Sequence, residues 1–154
     1  MNVAKRILTN LESWLIKKKG IDKSMIGPKK LIPGYKCSPE TDFQVRLNNG
    51  NRIFVEIEEG QKHPEGNVAK YWWWIEEKHI SRDKNIKKLV LIQLFGKRFQ
   101  NGANNKSRVE VCKFLASKMK KSYPKIFNYH HLNFKGSKEE GFKKIKSILK
   151  DYLG

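Results

Sequence analysis

Residues 42–58 carry the pattern that most constrains the fold, because it predicts a β-hairpin with a defined register. Apolar and polar residues alternate on both sides of a central turn segment. The apolar positions are Phe43, Val45 and Leu47 before the turn and Ile53, Val55 and Ile57 after it. Such alternation is typical of strands with one buried face, and the intervening sequence Asn48-Asn49-Gly50-Asn51 is a strong turn signal.

The length of the turn decides which residues face each other across the hairpin. A two-residue turn would pair Phe43 with Glu56 and mix the apolar and polar faces. A three-residue loop pairs Phe43 with Val55 instead and sets Asp42 opposite Glu56. Such loops use a glycine in the left-handed conformation at their third position, which Gly50 supplies. Apolar matching therefore favours the register that also brings two acids together.

Three carboxylates are predicted to share this part of the hairpin: Asp42, Glu56 and Glu58. Strand periodicity puts the two glutamates on one face, roughly 6.5–7 Å apart. Carboxylates this close repel one another unless a cation neutralises them. A solvated polar face is the alternative, but an aromatic helix and an apolar strand follow and predict that the face is covered. Oxygen ligands suit Mg²⁺, with Mn²⁺ as a substitute, so we predict that these three residues bind metal.

The remaining segments predict an α/β fold. Helices are expected at 2–17, 67–78 and 109–121 and from Ser137 onwards, and strands at 88–95 and within 126–134. The second helix shows an apolar face of Val68, Tyr71, Trp72 and Ile75. Residues 98–107 are mostly polar and predict a mobile loop. This order indicates a mixed central β-sheet flanked by helices. No repeat or linker interrupts it, so residues 1–154 are expected to form a single domain.

The charge of the chain predicts a polyanionic partner. Thirty-three Lys and Arg residues against fifteen Asp and Glu give a net charge of +18, yet five of the acids lie within residues 40–59. Carboxylates repel phosphates, so a basic protein with one acidic pocket is best explained by a cation that bridges the two. A lysine-rich protein from an AT-rich genome is the alternative. No signal peptide or membrane span is recognised, so a cytoplasmic protein without membrane contact is expected, with both cysteines, Cys37 and Cys112, buried and reduced.

The segment Pro39-Glu40-Thr41-Asp42, the hairpin and then Glu56-Ile57-Glu58 resembles the PD-(D/E)xK nuclease superfamily. The order of elements around it, roughly over residues 2–96, is also similar to the restriction-endonuclease-like core of that family. The resemblance implies that Asp42 and Glu56 bind Mg²⁺. The sequence departs from the motif at two places: the proline stands three residues before Asp42, and Glu58 replaces the usual lysine.

The resemblance implies metal-assisted hydrolysis of a phosphodiester. In such a reaction the ion polarises the phosphate and lowers the pKa of a bound water. Glu58 is then expected to orient or deprotonate that water or to bind a second ion. Lys70 and Gln61 are candidates for stabilising the charge that develops on the phosphate. The candidate catalytic residues are therefore Asp42, Glu56, Glu58, Gln61 and Lys70.

Several basic and polar residues are candidates for contact with nucleic acid. His63 and Asn67 lie where the second helix begins, although Asn67 is equally explained as the cap of that helix. Lys97, Arg98, Lys106 and Arg108 flank the glycine- and asparagine-rich segment. Their expected target is DNA, double-stranded or branched, with an affinity that falls steeply as salt rises.

Two functions from different classes follow from these features. The first is a Mg²⁺-dependent endonuclease that hydrolyses DNA, of restriction, homing or resolvase type. It is expected to act as a homodimer or a higher homo-oligomer, because one site cuts one strand. The alternative is a non-catalytic nucleic-acid-binding protein with a degenerate nuclease fold, favoured by Glu58 in place of lysine.

Overall fold

The computed structural model describes residues 2–27, 29–32, 35–77 and 86–154, and shows an α/β fold. Four longer helices lie in these ranges: α1 (Val3–Leu15), α2 (Glu65–Glu76), α3 (Ala103–Ser122) and α4 (Lys138–Lys150). The strands are β1 (Phe43–Arg46), β2 (Asn51–Glu58), β3 (Lys88–Phe95) and β4 (Phe127–Asn133). Short 3₁₀ helices cover Lys23–Met25 and Lys97–Gln100. The order of elements agrees with the one that the sequence predicts.

The four strands form one mixed sheet in the order β1-β2-β3-β4. The hairpin β1-β2 is antiparallel, whereas β2, β3 and β4 run parallel to one another. Phe43 pairs with Val55 and Val45 with Ile53, so the register predicted from apolar matching is confirmed. Gly50 has φ of 89°, as a three-residue hairpin loop requires at its third position.

Helices cover both faces of the sheet. Helices α1 and α4 pack on one face, around a core that includes Ile7, Leu11, Val55, Ile92 and Ile145. Helices α2 and α3 pack on the other face, with Phe54, Tyr71, Trp74, Leu91 and Met119. Both cores exist because the central strands β2 and β3 bury side chains on alternate faces, as strands in a parallel sheet do.

The segment predicted to be a mobile loop, residues 98–107, is largely helical. Lys97–Gln100 forms a 3₁₀ helix, and α3 begins at Ala103, six residues earlier than expected. Phe99 is buried and packs against Phe95 with ring centroids 5.5 Å apart. The prediction was wrong because it weighed the polar composition above this single apolar anchor.

Two predictions of burial were wrong, at Val111 and Cys37. On α2, Trp72 packs against the core as predicted but is only partly buried, and Trp74 is the more deeply buried tryptophan because its ring packs edge-on against Phe54 of the sheet. The apolar spacing of the helix expected at 109–121 predicts that Val111 faces inward together with Cys112, Leu115 and Met119, but Val111 is 44% exposed. Cys37 is exposed, and Cys112 alone of the two cysteines is buried.

The starts of two helices can be compared with the predicted ones. Helix α2 begins at Glu65, two residues before the predicted start, so the side chain of Asn67 is free to make contacts other than a cap. Ser137 caps α4 as predicted by accepting a hydrogen bond from the Glu140 backbone N–H at 3.1 Å.

None of the helices in the described ranges combines the length and the apolar character that crossing a membrane requires.

Candidate active site

Asp42 lies immediately before β1 and joins the hairpin through its side chain. Its Oδ2 accepts a hydrogen bond of 2.8 Å from the backbone N–H of Ile57. The predicted register sets Asp42 opposite Glu56. In the structure the backbone pairing of β1 with β2 begins at Phe43 and does not include Asp42. The carboxylate nevertheless lies beside the strand segment that carries Glu56 and Glu58, and its charge acts on both. The structure thus brings the predicted acids together, with Asp42 entering from the strand end.

Glu56 is 1% exposed and is held on the α2 face of the sheet. The ammonium of Lys70 lies 2.5 Å from its Oε1, and the Tyr71 hydroxyl donates a hydrogen bond to the same oxygen. Burial raises the pKa of Glu56, while the charge of Lys70 opposes the rise and that of Asp42 adds to it. Burial is the larger effect, so Glu56 is an acid whose ionised form depends on its partners.

Lys70 is fixed by three acceptors. Its ammonium contacts the Glu40 carbonyl oxygen at 2.6 Å, the Asn67 side-chain oxygen at 2.9 Å and Glu56 at 2.5 Å. An ammonium group has three N–H donors, so all of them are used. Asn67 and Lys70 stand three residues apart on α2 and therefore project from the same side of the helix. Lys70, predicted to stabilise the charge on a phosphate, thus contacts Glu56 of β2.

Glu58 is fully buried, and only one of its two carboxylate oxygens has hydrogen-bond partners among the described residues. Its Oε1 accepts hydrogen bonds from Asn67 at 2.7 Å and from Gln93 at 2.8 Å. Its Oε2 has no hydrogen-bond partner among the described residues. Burial is the main cause that raises the pKa of Glu58 to about 7. A buried carboxylate with an unpaired oxygen is costly, and such groups often mark a place where a ligand binds.

Gln93 and Tyr129 belong to this cluster, although neither is among the residues predicted from the sequence. Gln93 is fully buried on β3, donates to Glu58 and accepts a 2.7 Å hydrogen bond from the Tyr129 hydroxyl. A glutamine within the apolar run of β3 was a signal that could have been recognised, because buried amides need partners. Tyr129 gave no such signal. The hydrogen bonds run from Tyr129 through Gln93, Glu58 and Asn67 to Lys70, and so link β4 to the hairpin.

Gln61 is used by the turn that follows β2. Its side-chain oxygen accepts hydrogen bonds from the backbone N–H groups of Glu59 and Gly60 at 2.8 and 3.1 Å. Its amide group donates to the Ile57 carbonyl at 3.0 Å. The side chain is therefore close to Asp42 and β2, but its polar atoms shape the turn. Its expected contact with phosphate remains a prediction.

Some of the residues predicted to bind nucleic acid make contacts within the protein, and others are exposed. Nη1 of Arg108 lies 2.9 Å from Nδ1 of His63 and 3.4 Å from Glu65, so these residues tie α3 to the start of α2. Arg98 donates to the Gly60 carbonyl at 3.0 Å. Lys97 and Lys106 are exposed. Asn67 contacts Glu58 and Lys70, so the hypothesis that it caps the helix is wrong.

Of the three predicted metal ligands, Asp42 is the one that lines open space. It lies in two adjoining clefts of about 470 and 620 Å³ between α1 and the hairpin, which also share Lys5, Leu8 and Lys29. Glu56 and Glu58 line neither cleft, because α2 covers them. Among the described residues, no group of three or more His, Cys, Asp or Glu side chains is arranged to hold a metal ion. The three predicted ligands are thus neighbours, but two of them are engaged by the protein.

Comparisons with protein-family models, with curated proteins and with solved structures find no match to this chain.

Proposed function

We propose that the protein is a Mg²⁺-dependent deoxyribonuclease of PD-(D/E)xK type, with a restriction-endonuclease-like core. The observation that carries the proposal is the contact between Lys70 and Glu56. The motif needs a cation beside its second acid, and Glu58 stands where that cation is usually found. The ammonium group of Lys70, twelve positions after Glu58, contacts Glu56 and so supports the proposal that α2 provides this cation.

The residues are compatible with Mg²⁺, because every candidate ligand is a carboxylate oxygen. Asp42, which lines the clefts, and Glu56, which α2 covers, are the pair that would hold the ion, and the covered Oε2 of Glu58 is a further oxygen without a hydrogen-bond partner among the described residues. Mg²⁺ keeps several waters and binds through one or two carboxylates, so a set of three protein ligands is not needed. When bound, the ion would supply Lewis-acid activation of the scissile phosphate.

The protein groups around the acids have separable roles in this proposal. Lys70 would act on the negative charge of the phosphate through its own positive charge, since its three N–H donors are taken by Glu40, Asn67 and Glu56. Asn67 holds Lys70, and Glu58 in turn holds Asn67 by a 2.7 Å hydrogen bond. Glu58 therefore acts as a positioning residue for the cation, in addition to any contact with water or a second ion.

The proposed substrate is DNA, double-stranded or branched. The net charge of +18 favours a polyanion, and the exposed Lys97 and Lys106 provide cations that phosphates can reach. A cut through both strands of a duplex would require a homodimer or a higher homo-oligomer. Binding is expected to weaken with salt, because each phosphate contact releases counterions from the nucleic acid.

Cleavage of supercoiled plasmid with and without Mg²⁺ tests the proposal. We expect nicking or linearisation that depends on the metal and falls by about 10²-fold or more in Asp42→Ala, Glu56→Gln and Lys70→Met. Glu139→Gln, which changes an acid that is 73% exposed on α4, is the matched control and should cleave like the wild type. Wild-type rates in Asp42→Ala and Glu56→Gln would refute the assignment of the site.

The second candidate function is a non-catalytic nucleic-acid-binding protein. It is favoured by the same contacts, since Lys70, Tyr71, Asn67 and Gln93 stabilise the buried glutamates without a metal. Filter binding in EDTA separates the two hypotheses. Tight DNA binding that is indifferent to Mg²⁺, together with no cleavage at any metal concentration, would support this function and reject the nuclease.

A further inference from the structure

A cavity of about 550 Å³ lies at the β4 edge of the sheet, far from the β1 edge that carries Asp42. It is bounded by α3, by β4 and by Tyr152, which follows α4. The polar side chains that line it are Lys113, Ser117, Lys120, Asn128, His130 and Tyr152, with His131 beside them. None of the candidate catalytic residues lines this cavity, so its chemistry is separate from that of the hairpin.

The lining is cationic. It contains Lys113 and Lys120 but no carboxylate. The two lysines stand seven residues apart on α3, which places them about 10 Å apart along the helix. Lys113 pairs at 3.4 Å with Glu110, an acid that is 71% exposed, and such solvent-screened pairs are weak and easily exchanged. Both cations are therefore available to an anion.

Lys120 is held in position by the strand. Its ammonium donates to the Pro124 carbonyl at 2.9 Å and to the Asn128 side-chain oxygen at 2.6 Å. Two of its three donors are thus used, and the third remains for a ligand. A lysine fixed in this way loses less conformational entropy on binding than a free surface lysine.

The opposite wall is an ordered polar network. Asn128 donates to the Tyr152 hydroxyl at 3.1 Å, and Nε2 of His130 lies 2.6 Å from that hydroxyl. Because the hydroxyl accepts from Asn128, its own proton is assigned to Nε2 of His130. Burial lowers the pKa of His130, in agreement with a neutral ring. This wall therefore offers fixed dipoles and aromatic surface to a ligand.

His131 contributes a buried polar atom to the lining of the cavity. Its Nε2 is buried and has no hydrogen-bond partner among the described residues. Its ring packs against Phe95 at 5.1 Å between centroids, which fixes its orientation. Buried polar atoms are nearly always paired with protein or with a bound molecule. A ligand in this cavity can complete the pairing.

We propose that the cavity binds a nucleoside monophosphate unit, either as a free nucleotide or within a single strand. The phosphate is bound by Lys113 and Lys120. The base lies against the ring of Tyr152, at the edge of β4, and His131, on the α3 side of that strand, provides a hydrogen bond to the nucleotide. The volume lies within the range of about 300–1,000 Å³ that is typical of small-molecule sites. Tyr129 also donates to Gln93, so this wall is continuous with the polar cluster around Glu58.

Isothermal titration of the full chain with adenosine monophosphate in EDTA tests the proposal, with inorganic phosphate, adenosine and a single-stranded deoxyadenosine hexamer as comparison probes. We expect a Kd on the order of 10–100 µM for the nucleotide and at least about tenfold weaker binding of phosphate or adenosine alone. Lys120→Ala, Lys113→Ala and His131→Phe should each weaken binding about tenfold. His131→Phe keeps the ring and removes the unpaired nitrogen. Lys121→Ala is the matched control, since Lys121 is the next residue of α3 and does not line the cavity.

The comparisons also distinguish the source of the ligand and the site itself. Binding of the hexamer but not of the nucleotide, with the same sensitivity to Lys120→Ala, identifies a strand as the source; equal affinities identify a free nucleotide. An equal loss in Lys121→Ala would show general charge attraction and overturn the proposal, as would phosphate binding as tightly as the nucleotide. Asp42→Ala should leave binding unchanged. Loss of nucleotide binding in Asp42→Ala would show that the nucleotide binds near the hairpin and would refute the proposed binding at this cavity. Loss of DNA cleavage with retained nucleotide binding would concern the proposed nuclease activity alone.

Discussion

Replacement of Lys70 by alanine should destabilise the protein in a way that depends on pH. The ammonium of Lys70 lies 2.5 Å from Oε1 of Glu56, and the two side chains are only 13% and 2% exposed. Alanine leaves the Glu56 carboxylate buried without its cation. It also removes the donor to the Glu40 carbonyl and to Asn67, which connects Lys70 to Glu58.

The size of the effect follows from the distance and the burial. At an effective dielectric constant of about 20, two charges 2.5 Å apart attract by roughly 6–7 kcal/mol, and the cost of removing both from water offsets much of this gain. Breaking a buried pair by deleting one partner typically costs about 3–5 kcal/mol. Lys70 retains partial exposure, so we expect a loss of about 3 kcal/mol in the free energy of unfolding at pH 8.

The sign of the pH dependence follows from the pKa of Glu56. Burial raises this pKa in the folded protein, so the folded state favours the protonated acid. A group with a raised pKa contributes stability that is present below its unfolded value, about 4.3, and is lost as pH rises through the folded value. Without Lys70 the pKa of Glu56 rises further. The penalty of Lys70→Ala is therefore small near pH 4 and grows as pH rises towards 8.

Urea denaturation of the wild type and of Lys70→Ala at several pH values between 4 and 8, in EDTA, measures this. Glu56→Gln in the Lys70→Ala background is the decisive comparison, because a neutral amide at that position no longer requires a cation. We expect the double variant to recover much of the loss at pH 8. A penalty that is equal at pH 4 and pH 8, and that Glu56→Gln does not relieve, would refute the electrostatic explanation.

Three further outcomes are expected in the same denaturation assay. Glu58→Gln should flatten the pH dependence of the free energy of unfolding between pH 5 and 8 and be more stable than the wild type at pH 8 by up to about 3 kcal/mol. The reason is that burial raises the pKa of Glu58 to about 7, so ionisation of Glu58 costs stability as pH rises. An unchanged dependence on pH would contradict this. Gly50→Ala should cost about 1–2 kcal/mol because φ is 89°, whereas Gly66→Ala, in α2 with open space around it, should stabilise by about 0.5–1 kcal/mol; equal effects would show that the turn tolerates a side chain. Gly141→Ala should destabilise by about 1–3 kcal/mol, since the new Cβ would lie 2.5 Å from Cδ1 of Ile7, and a variant as stable as the wild type would mean that α1 can move away.

Local patterns predicted the hairpin and its register because the information lies within the residues concerned. A register shift by one residue would turn Phe43, Val45 and Ile53 to the wrong face, so the apolar positions allow one alignment. Gly50 then sets the length of the loop. The order of helices and strands was predicted correctly for the same reason, since each element is also indicated by residues close together in the sequence. Composition alone was a poorer guide at residues 98–107, where one buried side chain, Phe99, outweighs its polar neighbours.

The candidate site was predictable in part. Asp42, Glu56 and Glu58 follow from the hairpin, and Lys70 was a candidate because it lies on the next helix. Which group contacts which acid did not follow, because the start and rotation of α2 set the direction of each side chain. Two residues of difference in the start of that helix changed Asn67 from a presumed cap into a partner of Glu58.

The sequence by itself determined which acids the hairpin brings together, because alternation and turn chemistry act between residues close along the chain. Only the tertiary structure decided their state. It covers Glu56 and Glu58 with α2, supplies Lys70 to one and Gln93 to the other, and leaves Asp42 lining the open clefts. Burial and partners from distant segments set the charge of a carboxylate, and these depend on how helices pack against the sheet.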